Sequence, residues 1–289
     1  MILLTGATGF LGSNLLEELI KRNYKVLILK RTTSNTFRIN KLLNKVISYD
    51  IDIQPLEIAF EQHKIDCIIH TACNYGKNEN AFQDVIETNL NFGIKLLTAA
   101  LKFNVSTFIN TDTLLKKNIN LYSLSKKQFV EWLKIKSIDI KVINLKIEYI
   151  YGPNDDDKKF ISWVVKELTN KSPEIGFTKG EQLRDFIYIT DVVEAFMIIL
   201  NNSSKLESFN EFDIATGEYV SVKYFLEKLK NIYENYFGSV VTKFQFGKLA
   251  YRKGEQMQIK TRNQKLIKLG WIPKISIEEG ITKLINNLA

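Results

Sequence analysis

The sequence predicts an α/β protein built on a Rossmann-type, doubly wound parallel sheet with a smaller C-terminal α/β lobe. Three observations predict it. An apolar strand, Ile2-Leu3-Leu4, runs straight into Thr5-Gly6-Ala7-Thr8-Gly9-Phe10-Leu11-Gly12. Short apolar runs then alternate with helical stretches through the first half of the chain, as in a parallel sheet buried on both faces. The glycine-spaced turn follows the first strand, where such a sheet receives a dinucleotide pyrophosphate.

Strand one covers residues 2–5, and the next helix carries a stripe of Phe10, Leu11, Leu15, Leu16, Leu19 and Ile20. Residues 25–30, aliphatic between two lysines, form strand two. Residues 46–49, 66–70, 107–110 and 138–145 are strands three to six. The clearest helices between them cover 81–103 and 122–135. Past Tyr151-Gly152-Pro153 the pattern becomes less regular, with helices over 157–169, 191–201 and 222–236. Asp155-Asp156-Asp157 reads as a solvated turn or helix start. No repeat or flexible linker separates the halves. Residues 1–150 are therefore expected to form the dinucleotide-binding domain, and 151–289 a lobe packed on it rather than an independent domain.

Composition excludes several classes. With 289 residues, 45% hydrophobic and 25% charged, the chain is an ordinary globular protein. No apolar run reaches the ~18 residues of a membrane span. The chain opens on a strand rather than a basic, apolar leader, so no secretory signal is expected. Cys67 and Cys73 are too few for a disulfide framework, and a reduced, cytoplasmic protein is expected. His63 and His70 are the only histidines, and no cluster has metal-ligand spacing. The net charge of +8 is spread over helix faces without a compact Lys/Arg run, so neither nucleic acid nor membrane is an expected partner. A modest positive bias suits an anionic nucleotide ligand.

In the glycine turn, Gly6 permits the tight bend, Gly9 admits the pyrophosphate and Gly12 lets the helix pack on the strand. The helix N-terminus offers free N–H groups to the anion. Tyr122-Ser123-Leu124-Ser125-Lys126 sets a tyrosine and a lysine four apart on one helix face. An ammonium beside a phenol favours the phenolate, so such a tyrosine can trade protons near neutral pH.

These features resemble the short-chain dehydrogenase/reductase superfamily. More narrowly, the chain resembles its extended branch, the NAD-dependent epimerase/dehydratase family of nucleotide-sugar enzymes. The resemblance runs along essentially the whole chain. Beside the glycine turn and Tyr122-x-x-x-Lys126 it includes Tyr151-Gly152-Pro153, Arg184-Asp185-Phe186-x-Tyr188-x-x-Asp191 and Leu269-Gly270-Trp271-x-Pro273. It implies a third catalytic hydroxyl at the end of strand five, which falls on Thr113, with Thr111 as the other candidate. The stretch from Thr113 to Tyr122 is shorter than in most extended members. That short segment, Leu145-Lys146-x-Glu148-x-x-Tyr151-Gly152 and Gly180-x-Gln182-x-Arg184-Asp185-Phe186 are similar to the reductases that make CDP-abequose and CDP-paratose.

The resemblance implies a cofactor set of Gly6, Thr8, Gly9, Phe10, Leu11 and Gly12, with Asp50 and Ile51 beside the adenine. Thr71 and Ala72 follow along the ribose and phosphates, and Tyr122 and Lys126 complete the set. Where NAD-specific members carry an acid after strand two, this chain has Lys30-Arg31, cations suited to a 2′-phosphate. NADPH is therefore the expected cofactor, with an exposed basic loop as the plainer reading. His70 reads as a core histidine and Asn89 as a brace on strand five. For substrate, Arg184 and Arg252 match diphosphate-binding arginines, although Arg184 also suits an internal salt bridge to Asp185 or Asp191. Tyr75 and Tyr149 are candidates for the sugar pocket or for packing.

The implied activity is NADPH-dependent reduction of the C4 ketone of a nucleotide-linked 4-keto-6-deoxy or 3,6-dideoxy hexose, in deoxysugar synthesis for surface polysaccharide such as lipopolysaccharide O-antigen. An NAD-dependent nucleotide-sugar 4-epimerase shares every catalytic residue. A 4,6-dehydratase fits less well, because Leu114-Leu115 follow Thr113 where that group carries Asp-Glu. A cofactor-binding regulatory protein is the non-enzymatic alternative. A homodimer through the helices over 81–103 and 122–135 is implied by the family.

Overall fold

The structure, a computed structural model, describes residues 1–76, 81–147 and 149–288. Glu148 of the quoted motif lies outside the described residues. The first half supplies strands β1 (Ile2–Thr5), β2 (Val26–Lys30), β3 (Ile47–Asp50), β4 (Cys67–His70), β5 (Thr107–Thr113) and β6 (Lys141–Ile147). The second half adds β7 (Ile150–Tyr151), β8 (Glu174–Phe177), β9 (Leu183–Arg184), β10 (Ile187–Tyr188), β11 (Phe209–Ile214), β12 (Val220–Ser221) and β13 (Lys243–Phe246). The helices of the first half are α1 (Phe10–Lys21), α2 (Glu57–Gln62), α3 (Ala81–Ile86), α4 (Phe92–Lys102) and α5 (Leu121–Lys136). Those of the second are α6 (Phe160–Thr169), α7 (Ile189–Asn202), α8 (Val222–Phe237), α9 (Gln264–Lys268) and α10 (Ile277–Asn286).

The central sheet has seven strands in the order β11-β6-β5-β4-β1-β2-β3, and every pairing is parallel. Strand order reverses between β1 and β4, and the crevice at that switch point is where such sheets bind ligands. Alternate side chains face opposite layers. Leu4, Ile28, Ile69, Ile109 and Ile143 join a core that also holds Leu15, Val192, Phe196 and Trp271. Leu3, Leu27, Ile68, Phe108 and Val142 pack with Leu96, Phe129 and Leu133 on the other face.

β11 comes from beyond residue 150, yet it pairs with β6 from Phe209↔Val142 to Ile214↔Ile147. The second half thus completes one edge of the sheet as well as forming a lobe over it. Two motifs of the second half are anchors. The Asp185 carboxylate accepts from Thr216 N and Gly217 N at 2.9 and 2.7 Å. The Asp191 carboxylate accepts from Lys274 N and Ile275 N, and its carbonyl from the indole of the buried Trp271.

The expected helix over 81–103 is interrupted by a π-helical turn, Glu87–Asn91, between α3 and α4. Strand six begins three residues later than expected, because Ile140 N still bonds Lys136 O at the end of α5.

Candidate active site

Sterics shape the glycine turn. Gly6 adopts φ +70°, and a Cβ there would lie 2.6 Å from Ala72 N. A Cβ on Gly12 would lie 2.0 Å from the Gly6 carbonyl oxygen. Gly9 is exposed and stands at the N-cap of α1 with no side chain capping the helix. Thr8 and Leu11 are half-buried beside it, and Phe10 is buried. A cradle that any side chain would fill, facing uncapped N–H groups, fits a dinucleotide pyrophosphate. Thr71 supports the turn, its hydroxyl donating to Thr5 O at 2.7 Å, and Ala72 N reaches Thr5 Oγ1 at 3.4 Å.

At the ends of β2 and β3, the Lys30 ammonium pairs with Asp50 Oδ2 at 3.0 Å. Thr32 Oγ1 donates to the same oxygen, and Ile51 N bonds Lys30 O. Arg31 is exposed and has no ion pair among the described residues. The two predicted cations therefore differ: Lys30 is partly neutralised, and Arg31 is open to an anion.

Thr113 closes β5, buried, with Leu115 N donating to its hydroxyl oxygen at 3.1 Å. Thr111 spends its hydroxyl on His70 O at 2.9 Å, so the alternative register does not place a free hydroxyl in the site. Asn120 caps α5 in a reciprocal capping box with Ser123. Lys127, one residue past Lys126, donates to Asp112 Oδ2 at 2.6 Å and to Thr113 O at 2.5 Å. That bridge draws the strand end and the helix together across the short 114–120 connection.

Tyr122 and Lys126 are one turn apart on α5. Lys126 is buried, with no ion pair among the described residues, and burial pulls its pKa below the ordinary lysine value. Tyr122 is half-buried and its ring packs on Tyr75, with centroids 4.8 Å apart and planes tilted by 32°. Tyr75 is held by its neighbour Asn74, whose backbone N–H and carbonyl both bond the Asn89 side chain, at 2.7 and 2.9 Å. Asn89 also donates to Ser125 Oγ at 3.0 Å. It therefore braces the β4 loop and α5, not β5 as expected. The π turn directs Asn89 inward to make these bonds.

His70 is buried, and burial, followed by the Lys126 charge, pulls its pKa down to about 3. It is a neutral core group, with Nδ1 on Thr5 Oγ1 at 2.7 Å. Burial pushes the Cys67 thiol up to about 12, and both cysteines are free. Among the described residues, no group of His, Cys, Asp or Glu gathers as a metal site, and no helix is long and apolar enough to cross a membrane.

Arg184 is almost fully buried, and its salt bridge runs to Glu255, not to Asp185 or Asp191. Its Nε donates to Tyr149 Oη at 2.7 Å. Tyr149 holds φ +47°, a left-handed conformation unusual for an aromatic residue and a mark of local constraint. Glu255 N bonds Arg252 O in a backbone turn, and Arg252 is exposed. Sequence reasoning missed Glu255, Arg38 and Lys159. Lys159 stands 5.3 Å from the Phe10 ring and 5.4 Å from the Tyr75 ring. None of the three lies in a motif, and long-range contacts alone reveal them.

The chain is similar to known proteins along most of its length. The NAD dependent epimerase/dehydratase family matches residues 2–215. The chain is 33% identical to CDP-abequose synthase of Salmonella typhimurium over 300 residues, 99% of this chain and 98% of that enzyme. It is 26% identical to dTDP-4-dehydro-6-deoxyglucose reductase of Escherichia coli, over 99% and 97% of the two chains. Its fold matches UDP-glucose 4-epimerase of Thermus thermophilus, solved with NAD, with a TM-score of 0.82 at 22% identity, over 99% and 98% of the two chains. This chain belongs to the NAD-dependent epimerase/dehydratase family, the extended branch of the short-chain dehydrogenase/reductases, and is an NAD(P)-dependent oxidoreductase-type enzyme.

Proposed function

We propose that the protein is an NADPH-dependent reductase of the C4 ketone of a nucleotide-linked 4-keto-6-deoxy or 3,6-dideoxy hexose. The observation that carries this reading is Tyr122 and buried Lys126 one turn apart on α5, with Lys127 of the same helix bonded to the Thr113 carbonyl at the end of β5. The full-length likeness to CDP-abequose synthase supports a CDP-linked substrate. The exposed Arg31, with no acid at the end of β2, supports NADPH.

When bound, the reduced nicotinamide supplies the hydride. Tyr122 gives its hydroxyl proton to the C4 oxygen as negative charge develops there. Lys126, desolvated and cationic, stabilises the resulting phenolate and holds the cofactor ribose. Thr113 orients the substrate oxygen. Gly6, Thr8, Gly9, Phe10, Leu11 and Gly12 hold the pyrophosphate, Asp50 and Ile51 the adenine end, and Thr71 and Ala72 the ribose side. Tyr75 and Tyr149 line the sugar pocket. Arg252, with Arg184 behind Glu255, binds the diphosphate.

The enzyme works as a cytoplasmic homodimer packed through the helices over 81–103 and 122–135, the second of which exposes Trp132 and Ile135. Its product feeds surface-polysaccharide synthesis. The ion pair between Lys30 and Asp50 favours one second reading, an NAD-dependent 4-epimerase, because it leaves a single open cation at the cofactor ribose.

An NADPH-oxidation assay against CDP-, dTDP- and GDP-linked 4-keto sugars, with NMR of the product, separates the two. Reduction with NADPH preferred over NADH supports the reductase. Interconversion of the corresponding 4-hydroxy nucleotide sugars without added cofactor supports the epimerase. Tyr122→Phe is expected to lower kcat by 100-fold or more, on the scale of general acid catalysis at about 10²–10⁴, with NADPH affinity retained. Full activity in that variant overturns the catalytic assignment.

A further inference from the structure

The loop after β2 carries Arg38, whose side chain reaches across the molecule. Its Nε donates to Asn154 O at 2.7 Å and its Nη1 to Thr8 O at 3.2 Å. The Phe37 ring lies 4.4 Å from the guanidinium carbon. One guanidinium thus joins the glycine turn to the segment that follows Tyr151-Gly152-Pro153.

That segment is shaped for the contact. Asn154 holds φ +64°, a left-handed conformation that Asn tolerates better than most residues. Gly152 has no room for a side chain, since a Cβ would lie 2.6 Å from Ile189 Cγ2 and 3.3 Å from the Phe10 ring. Asp155, with its side chain 3% exposed, pairs with Lys159 at 3.0 Å. Lys159 lies over Phe10 of the cofactor turn and over Tyr75, which packs on Tyr122. Residues 152–159 therefore approach the cofactor turn directly at Phe10 and reach Thr8 through Arg38, while Lys159 approaches Tyr122 through Tyr75.

We propose that Arg38 is a positioning residue that couples the two ligand sites, clamping the glycine turn to residues 152–159 so that dinucleotide binding orders the sugar-nucleotide pocket. The inference rests on the reading given under Proposed function. A ligand that fixes the glycine turn fixes Thr8 O, and through Arg38 it fixes Asn154 O and the Lys159–Tyr75 contact. Coupling of this kind is reciprocal: each ligand must tighten the other by the same factor. Lysine cannot replace arginine here, because one ammonium lacks the fork that spans two carbonyls.

The test measures CDP affinity by titration calorimetry with and without saturating NADP⁺, and NADP⁺ affinity with and without CDP. In the wild type each ligand is expected to tighten the other by about fivefold or more, the lower end of typical coupling. In Arg38→Leu and Arg38→Lys the factor falls to near one, while each ligand's lone affinity stays within about threefold, the scale of an uncoupled site. A purely structural role would instead weaken both lone affinities and leave the ratio intact. If Arg38→Leu does not fold, Arg38→Lys decides alone. Coupling of wild-type size in the variants, or none in the wild type, overturns the clamp and leaves the assigned function standing. Failure of the wild type to bind NADP⁺, or to bind any of CDP, dTDP and GDP, overturns that function and the clamp together.

Discussion

Gly12 has less room than its neighbours in the glycine turn. An added Cβ would meet the Gly6 carbonyl oxygen, the Gly6 carbonyl carbon and Ala7 Cα at 2.0, 2.6 and 2.9 Å, all backbone that cannot swing aside. Gly9 differs, since its Cβ would meet Gly6 O at 3.2 Å and otherwise face solvent. Gly12→Ala is therefore expected to cost about 1–3 kcal/mol as overpacking, read as a fall in Tm of several degrees, together with cofactor affinity. Gly9→Ala is expected to leave Tm nearly unchanged and weaken NADPH binding alone. Calorimetry with a binding titration checks both, and equal Tm losses would contradict the assignment. Both glycines are legible in the sequence because local turn geometry dictates them. The partner of Arg184 is not legible, because Glu255 lies far along the chain. Choosing between Thr111 and Thr113 likewise needs the β4 carbonyl that occupies Thr111.

At the scale of elements, periodicity shows that residues 81–103 are helical but not that the helix opens into a π turn. One extra residue per turn barely disturbs an apolar stripe, yet it points Asn89 inward. The bonds from Asn89 to Asn74 N, Asn74 O and Ser125 Oγ then tie the Tyr75 loop to α5. Asn89→Ala leaves the Asn74 backbone groups without that partner, at a cost of about 1–3 kcal/mol. It also releases Tyr75 from its place against Tyr122. The expected result is a lower Tm and a lower kcat with the Kd for NADPH unchanged. An unaltered kcat would mean that the Tyr75 packing does not serve the reaction. Boundaries of the expected helices and strands were otherwise legible to within about three residues; β5 runs on from 110 to Thr113 because its end pairs with β6, through Thr113↔Ile147.

At the scale of the whole molecule, the doubly wound sheet was legible from alternating apolar runs, but its seventh strand was not. Phe209-Asn-Glu-Phe-Asp-Ile reads as an amphipathic segment until β6 is there to receive it. With β11 in place, a polar row crosses five strands in register: Thr5, His70, Asn110, Asn144 and Glu211. Hydrogen bonds link Thr5 Oγ1 with His70 Nδ1 at 2.7 Å, Asn110 with Asn144 at 2.8 Å and Asn144 with Glu211 at 3.0 Å. His70, among Phe92, Phe108 and Phe129, is the titratable member in the interior. Its folded pKa is depressed to about 3 by burial and by Lys126, from an ordinary value of 6.5. As pH falls through 6.5 the unfolded chain takes up this proton and the folded protein does not. Stability is therefore lost from pH 6.5 downward until about pH 3, where folded His70 also protonates. The slope from this one group is about 1.4 kcal/mol per pH unit. Urea unfolding of wild type and His70→Gln between pH 7.5 and 4.5, about the span set by these pKa values, isolates it from the carboxylates that titrate in both. The difference in stability between wild type and variant is expected to shrink by that slope below pH 6.5 and to stay constant above it. Parallel curves throughout would show that His70 takes up its proton in the folded protein as readily as in the unfolded chain.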